Sequence, residues 1–284
     1  GFQDLLPGPN DAAEIVLLDA HDGYAAAVVD RTRAWNPQQG TMLYWNPDAA
    51  DTQFFFNDRE PATGKVFTVL YDIEERRRLR EYRNDETPFG NSGVSQAGGY
   101  FLGLNYGRLA RLRPVTGYPQ AFDWTADEPA PADDGIFRVE IDSGQTRLLV
   151  SYADLAAALK DRGQDVAGKD LFINHTLTSR DGRRVYFFVR ADFASKGTRV
   201  NVPFTMNSDG SDLSLHDLFI GGHPEWDLGS RLIGRRGPDQ VLYDVTEKRI
   251  VGTLGNPALF PNPEGDIALS PDARALVNGF RVKN

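Results

Sequence analysis

A repeated hairpin restricts the fold of this chain more than any other feature of its sequence. One unit is an apolar strand, a tight turn of the Ser-Pro-Asp-Gly type and a second apolar strand. It is clearest at Ser270-Pro271-Asp272-Ala273, before Arg274-Ala275-Leu276-Val277, and at Ser179-Arg180-Asp181-Gly182, before Val185-Tyr186-Phe187-Phe188-Val189. Weaker copies are Asn46-Pro47-Asp48-Ala49, Ser95-Gln96-Ala97-Gly98 and Asp227-Leu228-Gly229. A second unit falls between these: a strand ending in Asp or Asn, a short polar turn and another strand. Its copies are Leu70-Tyr71-Asp72-Ile73-Glu74, Val139-Glu140-Ile141-Asp142-Ser143-Gly144, Met206-Asn207-Ser208-Asp209-Gly210 and Leu242-Tyr243-Asp244-Val245-Thr246. Leu17-Leu18-Asp19 with Asp22-Gly23 is the first. Asp, Asn, Ser and Gly suit hairpins because they tolerate positive φ or bond their own backbone. The flanks are short runs of Val, Ile, Tyr and Phe, as strands require.

Two hairpins make a four-stranded sheet, and alternation with a period of roughly 40–50 residues is that of a propeller blade. The expected fold is all-β: one β-propeller domain of four-stranded blades over residues 1–284, with six or seven blades. A two-sheet sandwich would leave the alternation unexplained. The first copy lacks an opening hairpin and the last stops at Asn284 soon after one hairpin. The ends therefore either close one blade together or belong to incomplete blades. Two insertions interrupt the rhythm. Residues 105–134 carry Arg108, Arg111, Arg113, Trp124 and several prolines, and read as a long ordered loop over one face. Residues 151–160 are Ala-rich and read as a short helix with Ser151 as its N-cap.

Composition narrows the partners. With no cysteine, disulfides, thiolate metal sites and thiol nucleophiles are excluded. A net charge of −9 argues against nucleic acid, whose phosphates need a basic surface. No apolar run approaches the roughly 20 residues needed to span a bilayer. The N-terminal residue is Gly1, so either a leader has been removed or the chain was cut from a longer one. No Gly-x-Ser-x-Gly elbow is present, which counts against a serine hydrolase.

Aligning the copies on the first turn type exposes one column of residues. Four positions before each turn stand Met42, Asn91, His175, His223 and Asp266. The first strand of a blade is innermost, so this column faces the central channel. Imidazole and carboxylate groups converging from neighbouring blades make a mixed nitrogen and oxygen site, suited to Mn, Fe or Zn more than to Ca. The plainer alternative is that polar strand ends around a channel only bond water or backbone. His21 and His216 sit in turn-like contexts and are expected at the surface in solvent. Arg31, Arg33, Arg59, Arg108, Arg111, Arg113 and Arg199 lie in or near inferred loops, where guanidinium can clamp a carboxylate or pair with surface acids. Trp35, Tyr106 and Trp124 are either sugar-stacking rings or packing between blades.

Gly222-His223-Pro224-Glu225-Trp226 with the Asp227-Leu228-Gly229 turn resembles the blade motif of TolB-like propellers, and more closely that of the oligogalacturonate lyases. Ile173-Asn174-His175 resembles the blade of that family that supplies a histidine near the scissile sugar. The segments 33–42 and 104–109 resemble a bacterial branch of the same group. The resemblance implies a metal-dependent lyase acting by β-elimination on short uronic-acid oligosaccharides. It implies a divalent metal, manganese, with His223 as a ligand and His175 near the reacting sugar. The column adds Asp266 and Asn91 as further ligands, and Arg199, opening the strand before Met206, joins His175 as catalytic. Arg33, Arg108 and Tyr106 would contact the acidic oligosaccharide. It also implies a cytoplasmic location, with a periplasmic or secreted one left open. The final blade, Asn262-Pro263-Glu264-Gly265-Asp266-Ile267-Ala268-Leu269, lacks the His and Gln ligands of that family. Asp266 either replaces a ligand or marks a chain that has lost the activity. The alternative function is a non-catalytic TolB-like propeller that binds a ligand or protein partner on one face.

Overall fold

Each turn picked out by the repeat closes a pair of strands. The computed structural model describes residues 8, 11–193, 198–221, 223–255 and 263–280. Strands β1 (Ala13–Asp19) and β2 (Ala25–Thr32) form a two-stranded sheet. Four antiparallel four-stranded sheets follow in chain order. The first is β3 (Tyr44–Trp45), β4 (Gln53–Arg59), β5 (Val66–Asp72) and β6 (Arg77–Tyr82). The second is β7 (Gly90–Val94), β8 (Tyr100–Leu104), β9 (Gly135–Glu140) and β10 (Thr146–Ser151). The third is β11 (Phe172–Thr178), β12 (Arg184–Ala191), β13 (Val200–Asn207) and β14 (Ser214–Leu215). The fourth is β15 (Glu225–Trp226), β16 (Arg231–Arg236), β17 (Asp239–Asp244) and β18 (Arg249–Leu254). Strands β19 (Pro263–Leu269) and β20 (Leu276–Phe280) form a second two-stranded sheet. Strands β7, β11, β15 and β19 neighbour one another in that order, so the first strands of successive sheets surround a common axis. The fold is a β-propeller, with four complete blades and a separate two-stranded sheet towards each end among the described residues.

The repeat extends to individual atoms. Ser179 Oγ donates to Asp181 Oδ1 at 2.6 Å, and Ser270 Oγ donates to Asp272 Oδ1 at 2.7 Å. The same carboxylates accept from the amides of Arg183 and Arg274, each at 3.1 Å. In the other turn type Asp72 Oδ1 accepts from the amides of Glu74 and Glu75, and Asp244 Oδ1 from those of Thr246 and Glu247. These short-range bonds satisfy turn amides that the ladders leave free.

Central strands are sandwiched between neighbouring blades, so they read as continuous apolar runs rather than alternating ones. All of β5 is buried, as is β12 after its first residue. Separate apolar layers form between sheets. Phe55, Leu70 and Tyr82 meet Phe101, Phe137 and Val139 between the first and second blades. Tyr186 and Phe188 meet Trp226, Leu232, Val241 and Tyr243 between the third and fourth. Ile15 joins the first two-stranded sheet to Phe54, Phe56 and Phe67.

The stretch 105–134 differs from the expected loop: it opens with helix α1 (Tyr106–Leu112). Asn105 is the cap, its side chain accepting from the Arg108 amide, and Pro114 just beyond stops the helix. The Ala-rich segment forms α2 (Tyr152–Asp161), with a capping box in which Ser151 and Asp154 satisfy each other's amides. Among the described residues no helix is long and apolar enough to cross a membrane.

Candidate functional site

The column read from the repeat assembles around the axis in sequence order. Asn91 Nδ2 donates to the Met42 carbonyl at 3.3 Å. The rings of His175 and His223 meet edge to face, their centroids 4.5 Å apart. His223 and Asp266 form an isolated parallel backbone bridge, and His223 Nδ1 bonds Asp266 Oδ1. Met42 and His175 share a small cavity of about 80 Å³ with Gln39, Tyr44, Ser92 and Tyr106.

Breaks in the innermost strands make this convergence. Pairing slips between Asn91 and Gly93 in β7, between Asn174 and Leu177 in β11, and between Pro263 and Ile267 in β19. A bulge of this kind re-aims a side chain that the regular pleat would send elsewhere. His175 has φ 62° and Met42 φ 53°. That left-handed conformation costs an L-residue roughly 1–2 kcal/mol, so its surroundings must hold it there.

His175 is half-buried, edge-on to Phe188 at 5.9 Å. Burial, and then the charges of His223, Arg190 and Arg113, hold its pKa well below the ordinary 6.5. It is therefore neutral near pH 7, and no described residue hydrogen-bonds its ring. His223 and Asp266, by contrast, are substantially exposed. The arrangement is a half-buried neutral imidazole beside a solvent-facing imidazole–carboxylate pair, with guanidinium charge nearby. Chemically it can accept a proton at one ring and supply one at the other.

Several residues expected at the site are committed elsewhere. Asn91, expected as a metal ligand, is fully buried. Its Nδ2 donates to Met42 and Asn57, its amide to Asn57 and Thr68, and its carbonyl accepts from Asn57 and Tyr106, while its Oδ1 is enclosed without a partner. The ligand set of His223, Asp266 and Asn91 is thus not assembled. His223 Nδ1 is taken up by Asp266, and among the described residues no group of three His, Cys, Asp or Glu is arranged to hold a metal ion. Manganese as expected does not fit these donors.

Arg108 cannot clamp a substrate. It is fully buried, and its guanidinium donates to the carbonyls of Leu171, Thr125, Glu128 and Pro129 while stacking on Tyr152. It ties the insertion down instead. Tyr106 is buried with its ring stacked on Tyr118 at 4.1 Å and its hydroxyl on the Asn91 carbonyl, so it offers no face to a sugar. Trp35 donates its indole N–H to the Asp11 carbonyl, and Trp124 packs near Phe137. Arg33 is exposed beyond β2, its backbone amide bonded to Asp58. Arg199 lies over Phe193 at 3.7 Å, with Arg113 and Arg190 as charged neighbours, rather than against His175. His216, expected in solvent, is 1% exposed between Thr205 and Tyr243. Lys248 donates to the Leu215 carbonyl beside it, so the next blade covers this turn.

Sequence reasoning passed over Arg190 and Phe188. The signal was available: Arg190 closes the apolar run of β12, where a charge buried between blades needs a reason.

Comparison with known proteins bears on the fold. A structure of oligogalacturonate lyase in complex with manganese is similar at a TM-score of 0.57 and 13% identity, covering 95% of this chain and 65% of that one. This chain therefore spans under two-thirds of that lyase's length, and the likeness is one of propeller fold. Hydrazine synthase of Kuenenia stuttgartiensis matches at a TM-score of 0.49 and 11% identity, over 84% of this chain and 67% of its own. No family model matches the sequence, and no curated protein does.

Proposed function

We propose that this propeller binds a short uronic-acid oligosaccharide at the end of its channel and cleaves it by β-elimination, with His175 as the base. One observation carries the reading: a half-buried imidazole kept neutral in a strained bulge, beside a His–Asp pair and two guanidinium charges. Perturbed groups of this kind cluster at working sites.

In such a cleavage the base takes the proton from C5, the C4–O bond breaks as C4=C5 forms, and the leaving oxygen gains a proton. The C5 proton becomes acidic only when the adjoining carboxylate is neutralised, the task assigned to Arg113 and Arg190. That carboxylate would also cancel part of the positive field that depresses His175, so the ligand would strengthen its own base. His223, steadied by Asp266, is assigned the proton donor to the leaving oxygen. No step passes through a metal, because the expected ligands do not come together.

The test is to incubate the protein with a series of oligogalacturonates and follow the ultraviolet absorbance of the unsaturated product. Product from the wild type, cut by about a hundredfold or more in His175→Ala, is the expected result. Equal rates in the two would remove His175 from the mechanism. A second reading, a propeller that only binds acidic sugars, is favoured by the unassembled ligand set. It predicts saturable binding by calorimetry with no product at all.

A further inference from the structure

Three guanidinium groups converge on one aromatic ring. The Cζ atoms of Arg113, Arg190 and Arg199 lie 4.1, 5.0 and 3.7 Å from the ring centre of Phe193. Arg113 is the C-cap of α1, Arg190 lies in β12 and Arg199 immediately precedes β13, so three separate elements supply them. Packing on an aromatic face stabilises each cation singly. Like charges gathered this closely repel, and an anion bound among them would relieve the repulsion.

No described carboxylate supplies the offset. The nearby acids are engaged elsewhere: Asp192 with Lys169 at 3.8 Å, Asp170 with Arg111 at 3.2 Å, and Asp217, which lines the cleft beside Arg199, with Arg162 at 2.6 Å. The cluster's own donors are largely unspent. Arg190 is 5% exposed, yet its one hydrogen bond among the described residues runs from Nε to Asn201 Oδ1 at 2.8 Å. Arg113 Nε is buried with no partner. Burial, and then Arg113 and Arg199, pull the Arg190 pKa down to about 10, the electrostatic mark of uncompensated positive charge. Arg199 also borders an open cleft of about 550 Å³ with Arg162, Asn201 and Phe219, so there is room beside the cluster.

We propose that Arg113, Arg190 and Arg199 form a binding subsite for an oxyanion, a carboxylate or a sulfate or phosphate group, presented against the edge of Phe193. The subsite is linked to the imidazoles through Phe188, which His175 meets at 5.9 Å and Arg190 covers at 4.7 Å. The acidic group it holds would be the one adjoining the carbon that His175 deprotonates, and the cleft beside Arg199 has room for the rest of the ligand. The inference rests on the preceding reading only in taking that group to be borne by a sugar; the subsite itself is testable without turnover.

Thermal unfolding and calorimetry of the whole chain would be measured with sodium sulfate, sodium phosphate and digalacturonate, each against sodium chloride at equal ionic strength. Saturable stabilisation by all three is expected, strongest for digalacturonate; stabilisation by the inorganic ions alone would assign the subsite to a free anion and remove the sugar from the proposal. In a variant with Arg190→Gln and Arg199→Gln, affinity should fall at least about tenfold, the loss of one to two charged hydrogen bonds. Its unfolding temperature without anion should stay level or rise, because repulsion has been relieved. An Arg231→Gln control, which removes only an exposed pair with Asp227, should keep the full response. A double variant that is less stable but binds the anions as before would show that the cluster serves packing, and would overturn the subsite. His175→Ala that binds normally without eliminating leaves the subsite standing. Absence of elimination in the wild type counts against the catalytic reading alone.

Discussion

His216 shares hydrogen bonds through both ring nitrogens, Nε2 with Thr205 Oγ1 and Nδ1 with Tyr243 Oη, each at 2.8 Å. A neutral ring can give to one hydroxyl and accept from the other; an imidazolium can only give. Burial, and then the Lys248 charge, lower its pKa to about 4. In the unfolded chain the value returns towards 6.5, so the unfolded state binds the extra proton between those two limits. The stability His216 contributes is therefore present above about pH 6.5 and is lost as pH falls towards about 4, to the extent of roughly 3 kcal/mol. Urea unfolding of the wild type and His216→Asn across that range should show the variant lacking this component. Parallel curves would mean that the ring is solvated in the folded state. His175 follows the same sign, being held neutral by burial and positive neighbours.

The elements carry their own specification. First-type turns at Ser179 and Ser270 close on a Ser–Asp pair, and second-type turns at Asp72 and Asp244 on an Asp that accepts two successive amides. Gly182 is a position where a turn needs its residue. Its φ is +68°, and an added Cβ would come within 2.7 Å of Ser95 Oγ in the neighbouring blade. Gly182→Ala should cost about 2 kcal/mol or more, from left-handed strain and displacement of the Ser95 hydroxyl. The urea midpoint measures it, and a cost below about 0.5 kcal/mol would mean that the turn relaxes freely. The bulges in β7, β11 and β19 belong to the same scale, since they turn ordinary inner strands into ones that present a side chain to the axis.

Across the whole molecule, blades are joined by apolar layers and by long polar side chains that cross between them. Tyr100 Oη donates to the Gly182 carbonyl, Arg138 to the Ser208 carbonyl and Trp226 Nε1 to the Leu177 carbonyl. Arg180 reaches furthest, from the first turn of the third blade to the carbonyls of Leu269, Ser270 and Pro271 in the last sheet. That sheet holds Asp266, so Arg180 secures the element that meets His223. With Arg180→Ala, amide exchange in β19 and β20 should quicken by about tenfold or more while β11–β14 keep their protection, consistent with losing bonds to a charged donor. Uniform quickening would instead mean that the propeller opens as one unit.

The repeat made the propeller legible because hairpin chemistry is local: an Asp or Ser bonds amides two or three residues away, whatever surrounds it. Local chemistry likewise placed α2, through the Ser151 cap, and the column containing His175, His223 and Asp266, through a constant offset from each turn. It did not reach α1, whose Asn105 cap stands in a stretch dominated by prolines and arginines. Charge and residue type do not determine burial either. Arg108 and His216 look like surface residues in their segments, and only packing between distant parts of the chain encloses them. The same reason hid the arginine cluster, whose members stand at 113, 190 and 199 in the chain and meet over one ring. Periodicity along the chain determined the fold and the offset of the column. Which side chains are spent on neighbouring blades, and which remain free for a ligand, was decided by the tertiary structure, because hydrogen-bond partners and desolvation are set by contacts between residues far apart in sequence.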